Sequence, residues 1–265
     1  MVTEILRPET VQEALKARKL PGSAFLGGGT WLNSPRGKGT LVLISLEKLD
    51  LDSIESTRSR CVLGAMATFQ KVIDNPDAPP AIRAALSLTA SRTLRNMMTI
   101  GGEIALHPED SALVPLLVAL EAQVSVAGQK KPVPIPAYIA NANGGLVLSI
   151  SIAEPALPSA LKAVSRTSHS PRSLVVAACA RTVQPRLNGL RLVASDCRGT
   201  MTRLSSIENR FEGGPLPPAS EIENALGDEF SPRPDIHASS LYKLSMTRAL
   251  AADILLEMAG ARGHP

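Results

Sequence analysis

Two glycine clusters hold the residues with the most chemical content in this sequence. Gly27-Gly28-Gly29-Thr30 follows the apolar run Ala24-Phe25-Leu26, and Gly101-Gly102 lies inside Thr99-Ile100-Gly101-Gly102-Glu103. Consecutive glycines after a buried strand let the backbone take positive φ angles and bring its N–H groups against a ligand with no side chain in the way, as phosphate oxygens require. The same residues also suit a plain chain reversal that binds nothing. Two nucleotide patterns are excluded. The Rossmann fingerprint needs a third glycine where Leu32 stands, and Gly37-Lys38 is followed by Gly39 where a P-loop needs Ser or Thr. Two glycine turns, each with a threonine, suit a ligand with two phosphates, one turn on each side of the diphosphate.

Other reactive residue types are dispersed. His107, His169, His237 and His264 lack ligand spacing, and Cys61, Cys179 and Cys197 form no C-x-x-C pair, so neither a metal site nor an iron–sulfur cluster is expected on this chain. Cys61 and Cys179 fall in strand-like runs as small apolar side chains, and Cys197 lies near a strand end. Trp31, inside the first cluster, could stack on a ligand, meet a partner or simply pack. Arg181, Arg186, Arg191, Arg198 and Arg203 form a basic stretch that reads as a solvated face.

The elements that must position these residues come from an ordinary globular composition. The 265 residues are 44% hydrophobic and 20% charged, enough for one large core or two smaller ones. No apolar run approaches the roughly 18 to 20 residues of a membrane helix, and the opening Met1-Val2-Thr3-Glu4 is unlike a signal peptide. The expectation is a soluble, unexported protein of the reducing cytoplasm. Net charge is +4, from 28 basic and 24 acidic residues, and aromatics are 3%. So few rings argue against a single-strand nucleic-acid binder.

Thr10-Val11-Gln12-Glu13 is a capping box that predicts a helix over 11–19, stopped by Pro21-Gly22. Strands are predicted at 24–26 and 41–45, with a loop around Pro35, Gly37 and Gly39 and no helix between them. A strand at 61–64 precedes helices at 68–73, 81–90 and 108–120, the last with Glu109 and Asp110 in its first turn. Strands follow at 122–126, 133–135 and 146–152. Glu154-Pro155-Ala156-Leu157-Pro158 then breaks the pattern and sets a boundary between domains 1–155 and 156–265. Strands at 160–166, 174–183 and 190–194 come next, with Asn188-Gly189 as a two-residue hairpin signal. Helices at 203–211 and 238–259 flank Pro215, Pro217 and Pro218.

The flanks of the clusters carry a family likeness. Leu94-Arg95-Asn96, Thr99 to Ala105, Ser111 and Pro115 to Ala122 resemble the R-N-x-x-T-I-G-G-N turn and P-x-L-L-A-L-x-A helix of the flavin-binding subunits of molybdenum hydroxylases, the xanthine dehydrogenase and carbon monoxide dehydrogenase family. Leu26 to Leu32 resembles its A-G-G-T loop, Leu63-Gly64-Ala65 its I-G-A strand end, and Asp235 to Lys243 its D-x-R-x-S-x-x-Y-R segment. The likeness spans nearly the whole chain and is nearest to stand-alone bacterial flavin subunits, with T-I-G-G-E and Asn33.

That resemblance implies an α+β fold: a two-subdomain FAD-binding domain of the vanillyl-alcohol-oxidase/PCMH type, then a small α+β C-terminal domain with antiparallel strands. It implies FAD as cofactor. Leu26, Gly27, Gly28, Gly29, Thr30, Trp31, Leu32, Thr99, Ile100, Gly101 and Gly102 would meet the diphosphate and flavin ring, Ser111 the adenosine side, and Val147 the ring. It also implies a [2Fe–2S] subunit and a molybdopterin-binding large subunit as partners, with electrons passing from the clusters through FAD to NAD or another acceptor. No acid, base or nucleophile is implied on this chain. Glu103, Ala112 and Ala163 depart from the family's Asn, acidic residue and Lys. They motivate an alternative, a flavin-free scaffold subunit of the same type of complex. A self-sufficient flavin oxidase is a third reading.

Overall fold

The structure, a computed structural model, describes residues 2–32, 39–141, 145–167, 170–183, 186–227 and 229–260. In chain order the elements are β1 (Glu4–Leu6), α1 (Val11–Ala17), β2 (Ser23–Leu26), β3 (Val42–Ser45), β4 (Ile54–Ser56), β5 (Cys61–Gly64), α2 (Phe69–Asp74), α3 (Pro80–Ser87), α4 (Arg92–Arg95), α5 (Ile100–Leu106) and α6 (Leu113–Ala119). They continue with β6 (Gln123–Val126), β7 (Val133–Pro134), α7 (Ile135–Ala140), β8 (Val147–Ile152), β9 (Ser159–Ser165), β10 (Arg172–Val183), β11 (Arg186–Ser195), β12 (Met201–Arg203), α8 (Ser205–Phe211), α9 (Ala219–Ala225) and α10 (Ser240–Met258). Two compact units result. The first comprises Met1–Pro79, Thr89–His107 and Ala122–Pro155, the second Pro80–Leu88, Pro108–Glu121 and Ala156–Pro265.

The first unit holds two sheets, as a two-subdomain α+β fold requires. One is parallel, in the order β1-β3-β2, and the other antiparallel, in the order β4-β5-β8-β6-β7. Helix α1 starts where the capping box placed it. Thr10 Oγ1 accepts from the Glu13 N–H at 3.2 Å, and the Glu13 carboxylate accepts from the Glu9 N–H at 2.9 Å, one residue earlier than a standard box returns. Its apolar side packs Ala14 with Ile44, Leu46, Leu49 and Leu146, and Val11, Leu15 and Phe25 close the edge. The expected loop around Pro35 and Gly37, with its absence of helix, lies outside the described residues.

The second unit is built on the antiparallel sheet β12-β11-β10-β9. Strand β10 is buried from Arg172 to Ala180, on both faces. Leu174, Val176, Ala178 and Ala180 turn one way, into a core with Ile254 and Leu255 of α10. The alternate residues Val175, Ala177 and Cys179 are equally buried, on the face covered by α3 and α6. This explains why two segments preceding residue 156 belong to this unit: without them one face of the sheet would stand in water.

Several sequence expectations are corrected. Asn188-Gly189 makes no hairpin turn. Both residues lie inside β11, where the register slips between Cys179 and Arg181, and Gly189 sits at φ +64° as the left-handed residue of a bulge. Its N–H and that of Leu190 donate to the two oxygens of Glu212 at 2.7 and 3.0 Å. A bulge and a primed turn need the same positive φ, so Asn-Gly signals either one. Gly189→Ala has room, the nearest atom to its Cβ lying 3.8 Å away. It is expected to lose only the left-handed strain, about 1 to 2 kcal/mol, in a denaturant titration.

The helix predicted over 108–120 is shortened to α6, because Ser111 Oγ accepts from the Val114 N–H at 3.1 Å and caps it there. Glu109 and Asp110 instead turn outward to Arg198 at 3.5 Å and Arg172 at 3.6 Å. Ile135 begins α7 and ends the strand predicted at 133–135, and the proline-rich stretch contains α9. Among the described residues no helix is long and apolar enough to cross a membrane.

Candidate functional site

Strand β2 delivers the first cluster. Leu26 pairs with Ser45, its carbonyl accepts from the Leu46 N–H at 3.1 Å, and the chain then leaves the sheet through Gly27 to Leu32, all half-buried. Gly29 adopts φ +71°. Among the described residues no acceptor meets the N–H groups of Gly27, Gly28 or Gly29. Three consecutive open donors on partly accessible backbone are the feature a phosphate group uses.

The second cluster is built differently from the turn expected there. Thr99 caps α5 by accepting from the Gly102 N–H at 3.2 Å, so Ile100, Gly101 and Gly102 form the first helical turn, none at positive φ. Its N–H groups are taken. Ile100 donates to the Ala67 carbonyl at 3.0 Å and Gly101 to the Ala65 carbonyl at 2.8 Å, while the Ala65 N–H donates to Leu148 of β8 at 2.9 Å. The turn therefore stands on the β5–β8 pair, and Val147, buried at the start of β8, adjoins that strut.

The two clusters meet. A Cβ at Gly28 would lie 1.5 Å from the Met97 carbonyl oxygen, and one at Gly27 would lie 3.0 Å from Thr99 Oγ1. At Gly101 a Cβ would come within 2.7 Å of Ala65 Cβ, and at Gly64 within 2.3 Å of the Leu51 carbonyl oxygen. Positive φ therefore accounts for Gly29 alone. Gly28, Gly64 and Gly101 are required because backbone passes where a side chain would be.

Of the sequence-predicted site residues, Leu26 to Leu32, Thr99 to Gly102 and Val147 lie in the first unit. Ser111 is buried in the second, where it caps α6. Glu103, on α5, is only 4% exposed and is enclosed by protein; Ala112 is buried and Ala163 half-buried in β9. Sequence reasoning read Ala65 only as the end of a strand motif and missed Ala67, Met97 and Met98. The carbonyls of the first two hold the α5 turn, while the Met97 carbonyl abuts Gly28 and that of Met98 accepts from the Phe69 N–H at 2.9 Å. The small residues after Leu63-Gly64 were the available signal. All three cysteines are free and buried, and burial pushes the Cys179 thiol up to about 11 and Cys197 up to about 12. Neither is poised as a nucleophile.

Residues 1–153 match the family described as FAD binding domain in molybdopterin dehydrogenase. Over 258 residues, 96% of this chain and 95% of its relative, the sequence is 33% identical to the uncharacterized protein YgfM of Escherichia coli K12. Among solved structures, quinoline 2-oxidoreductase from Pseudomonas putida 86 has a similar fold, with TM-score 0.87 at 20% identity over 98% of each chain. Carbon monoxide dehydrogenase from Hydrogenophaga pseudoflava has TM-score 0.84 at 21% identity, over 100% of this chain and 99% of that one. With its two glycine segments joined in one unit, this chain belongs to the FAD-binding domain family of the molybdopterin dehydrogenases, as an FAD-binding component of an oxidoreductase.

Proposed function

We propose that this chain is the FAD-bearing electron-transfer subunit of a molybdenum hydroxylase complex, receiving electrons from a [2Fe–2S] subunit and passing them to NAD or another acceptor. In this reading a molybdopterin-binding large subunit oxidises the substrate. Residues 1–155 act as the cofactor domain and 156–265 as the C-terminal domain, and the complex works in the reducing cytoplasm. The observation that carries the proposal is the meeting of the two glycine segments, one of them with open N–H donors.

The residues present fit FAD. The N–H groups of Gly27, Gly28 and Gly29, with Thr30, would hold the diphosphate. The Thr99 to Gly102 turn has spent its own N–H groups on Ala65, Ala67 and Thr99, so it would meet the flavin ring through Cα and side-chain surface, with Val147 as an apolar neighbour. Trp31 and Leu32 are assigned to the remaining contacts, whereas Ser111 lies buried in the second unit with its hydroxyl accepting from the Val114 N–H. FAD, when bound, takes electrons singly and releases them as a pair. The chain's own task is to bind, orient and partly dehydrate it.

Glu103 does not oppose this reading, because a carboxylate enclosed by protein does not face an anion entering through the open loop. The purified chain is expected to be yellow and to release FAD on denaturation. Added FAD should stabilise stripped protein by about 2.7 kcal/mol at a hundredfold excess over Kd. A colourless chain whose melting is indifferent to FAD favours the flavin-free scaffold and sinks the proposal.

A further inference from the structure

The family match ends at residue 153, and the chain beyond it has no task in the reading so far. Residues 89–107, which carry Met97 and the Thr99 turn, belong to the first unit, but the segments on either side of them, Pro80–Leu88 and Pro108–Glu121, belong to the second. One side chain holds both ends of that excursion. Arg172, buried at the start of β10, donates through Nη1 to the Leu88 carbonyl and through Nε to the Asp110 carbonyl at 2.7 Å, and its Nη2 lies 3.6 Å from Asp110 Oδ2. All three contacts are inside the second unit. Leu88 directly follows α3, where carbonyls lack helical donors and a cation is favoured. The register of β10 on β9 slips between Arg172 and Leu174, so that Ser173 is an extra residue. With regular alternation Arg172 would share the α10 face with Leu174 and Val176; the bulge turns it to the face that α3 and α6 cover.

We propose that Arg172 is a positioning residue for the flavin site: by clamping Leu88 to Asp110 it closes the base of residues 89–107, which gives the C-terminal unit a part in binding the cofactor. The proposal rests on the function proposed above. Within the excursion, Met98, Ile100 and Gly101 are bonded to Phe69, Ala67 and Ala65 of the first unit, and the Met97 carbonyl abuts Gly28. Ends that drift apart widen the range of positions those residues sample, and FAD binding then has to supply the ordering. Arg198, 3.5 Å from Glu109, adds a second hold on the same end, but an exposed and therefore weaker one. Lysine cannot replace the guanidinium, because one ammonium on a flexible stem lacks the planar fork that spans two carbonyls and a carboxylate.

FAD is titrated into the stripped full-length chain for wild type, Arg172→Ala, Arg172→Lys and Gly189→Ala, the last being destabilising in the same unit but away from the clamp. Kd is expected to rise about tenfold in both Arg172 variants and to stay at the wild-type value in Gly189→Ala. At saturating FAD the visible circular dichroism of the flavin should change in the Arg172 variants and not in Gly189→Ala, and backbone hydrogen exchange should quicken across 89–107. Arg172→Lys keeps the charge, so it carries the test if Arg172→Ala folds poorly. Wild-type affinity and flavin spectrum in a folded Arg172 variant overturn the clamp alone. A loss of affinity in Gly189→Ala as large as in the Arg172 variants also overturns it, because the effect would then follow from the stability of the unit. A wild-type chain that binds no FAD overturns the functional reading and the clamp with it.

Discussion

Alanine at position 28 is expected to remove most of the flavin from the purified chain and to destabilise it by about 3 kcal/mol or more. Its Cβ would fall 1.5 Å from the Met97 carbonyl oxygen, and backbone cannot yield as a side chain tip can. The segment carrying Met97 and Met98 would have to withdraw, taking with it the Met98 carbonyl that holds Phe69 and the Thr99 cap that starts α5. Gly27→Ala is expected to be milder, because its contact at 3.0 Å is with a rotatable hydroxyl. Gly227→Ala, with nothing within 4 Å, should stay within about 0.5 kcal/mol of wild type. Flavin absorbance per chain and thermal melting read all three. A Gly28→Ala protein that keeps its flavin and its melting point would mean that the two segments do not need their close approach.

Lys243→Met is expected to have the largest effect in the second unit, about 3 to 5 kcal/mol in an unfolding titration. Lys243 is fully buried on α10. Its Nζ lies 2.8 Å from Asp235 Oδ2 and donates to the Asp196 carbonyl at 2.7 Å. Asp235 Oδ1 also accepts from the N–H groups of His237 and Ala238, and Ser239 Oγ caps α10 by accepting from Tyr242. The segment running from Asp235 to Lys243 is thus a structural staple. Removing the lysine leaves a carboxylate with little solvent, two of its three donors and no counter-charge. The double variant Asp235→Asn, Lys243→Met is expected to recover part of the loss, since no unmatched charge remains.

The same staple sets a pH dependence. Burial pushes the carboxyls of Asp196 and Asp235 upward, but hydrogen bonds outweigh it and hold both below the usual aspartate range. For Asp196 the donors are the N–H groups of Arg233, Thr200 and Arg198, and for Asp235 they are Lys243, His237 and Ala238. A carboxyl with a depressed folded pKa contributes stability that is fully present above its unfolded value of about 4. That contribution is lost as pH falls through the folded pKa. Acid titration of the wild type should show this loss, and Asp235→Asn should flatten it.

Glycine shows how far local reading reached. Gly27 to Gly29 and Gly101 to Gly102 were legible as special backbone, and the flanking Arg95-Asn96 and Thr99 made the family legible too. The reason for each glycine was not. Positive φ is a local property and was the natural guess, yet among these five glycines it holds at Gly29 alone; Gly28 answers to Met97 and Gly101 to Ala65, distant in sequence. The same holds for Asn188-Gly189, whose positive φ was legible although the strand pairing that uses it as a bulge was not.

By itself the sequence determined what depends on a few neighbouring residues: the Thr10 cap, the apolar runs of β8 and β10, and the presence of two glycine segments. Only tertiary structure decided that those segments abut, that Ile100 and Gly101 spend their N–H groups on Ala67 and Ala65, and that 80–88 and 108–121 fold with the second unit. The physical reason is range. Caps and φ preferences are settled within one turn of chain, whereas the partner of a buried carbonyl or the cover of a sheet face is chosen by whichever distant segment satisfies it.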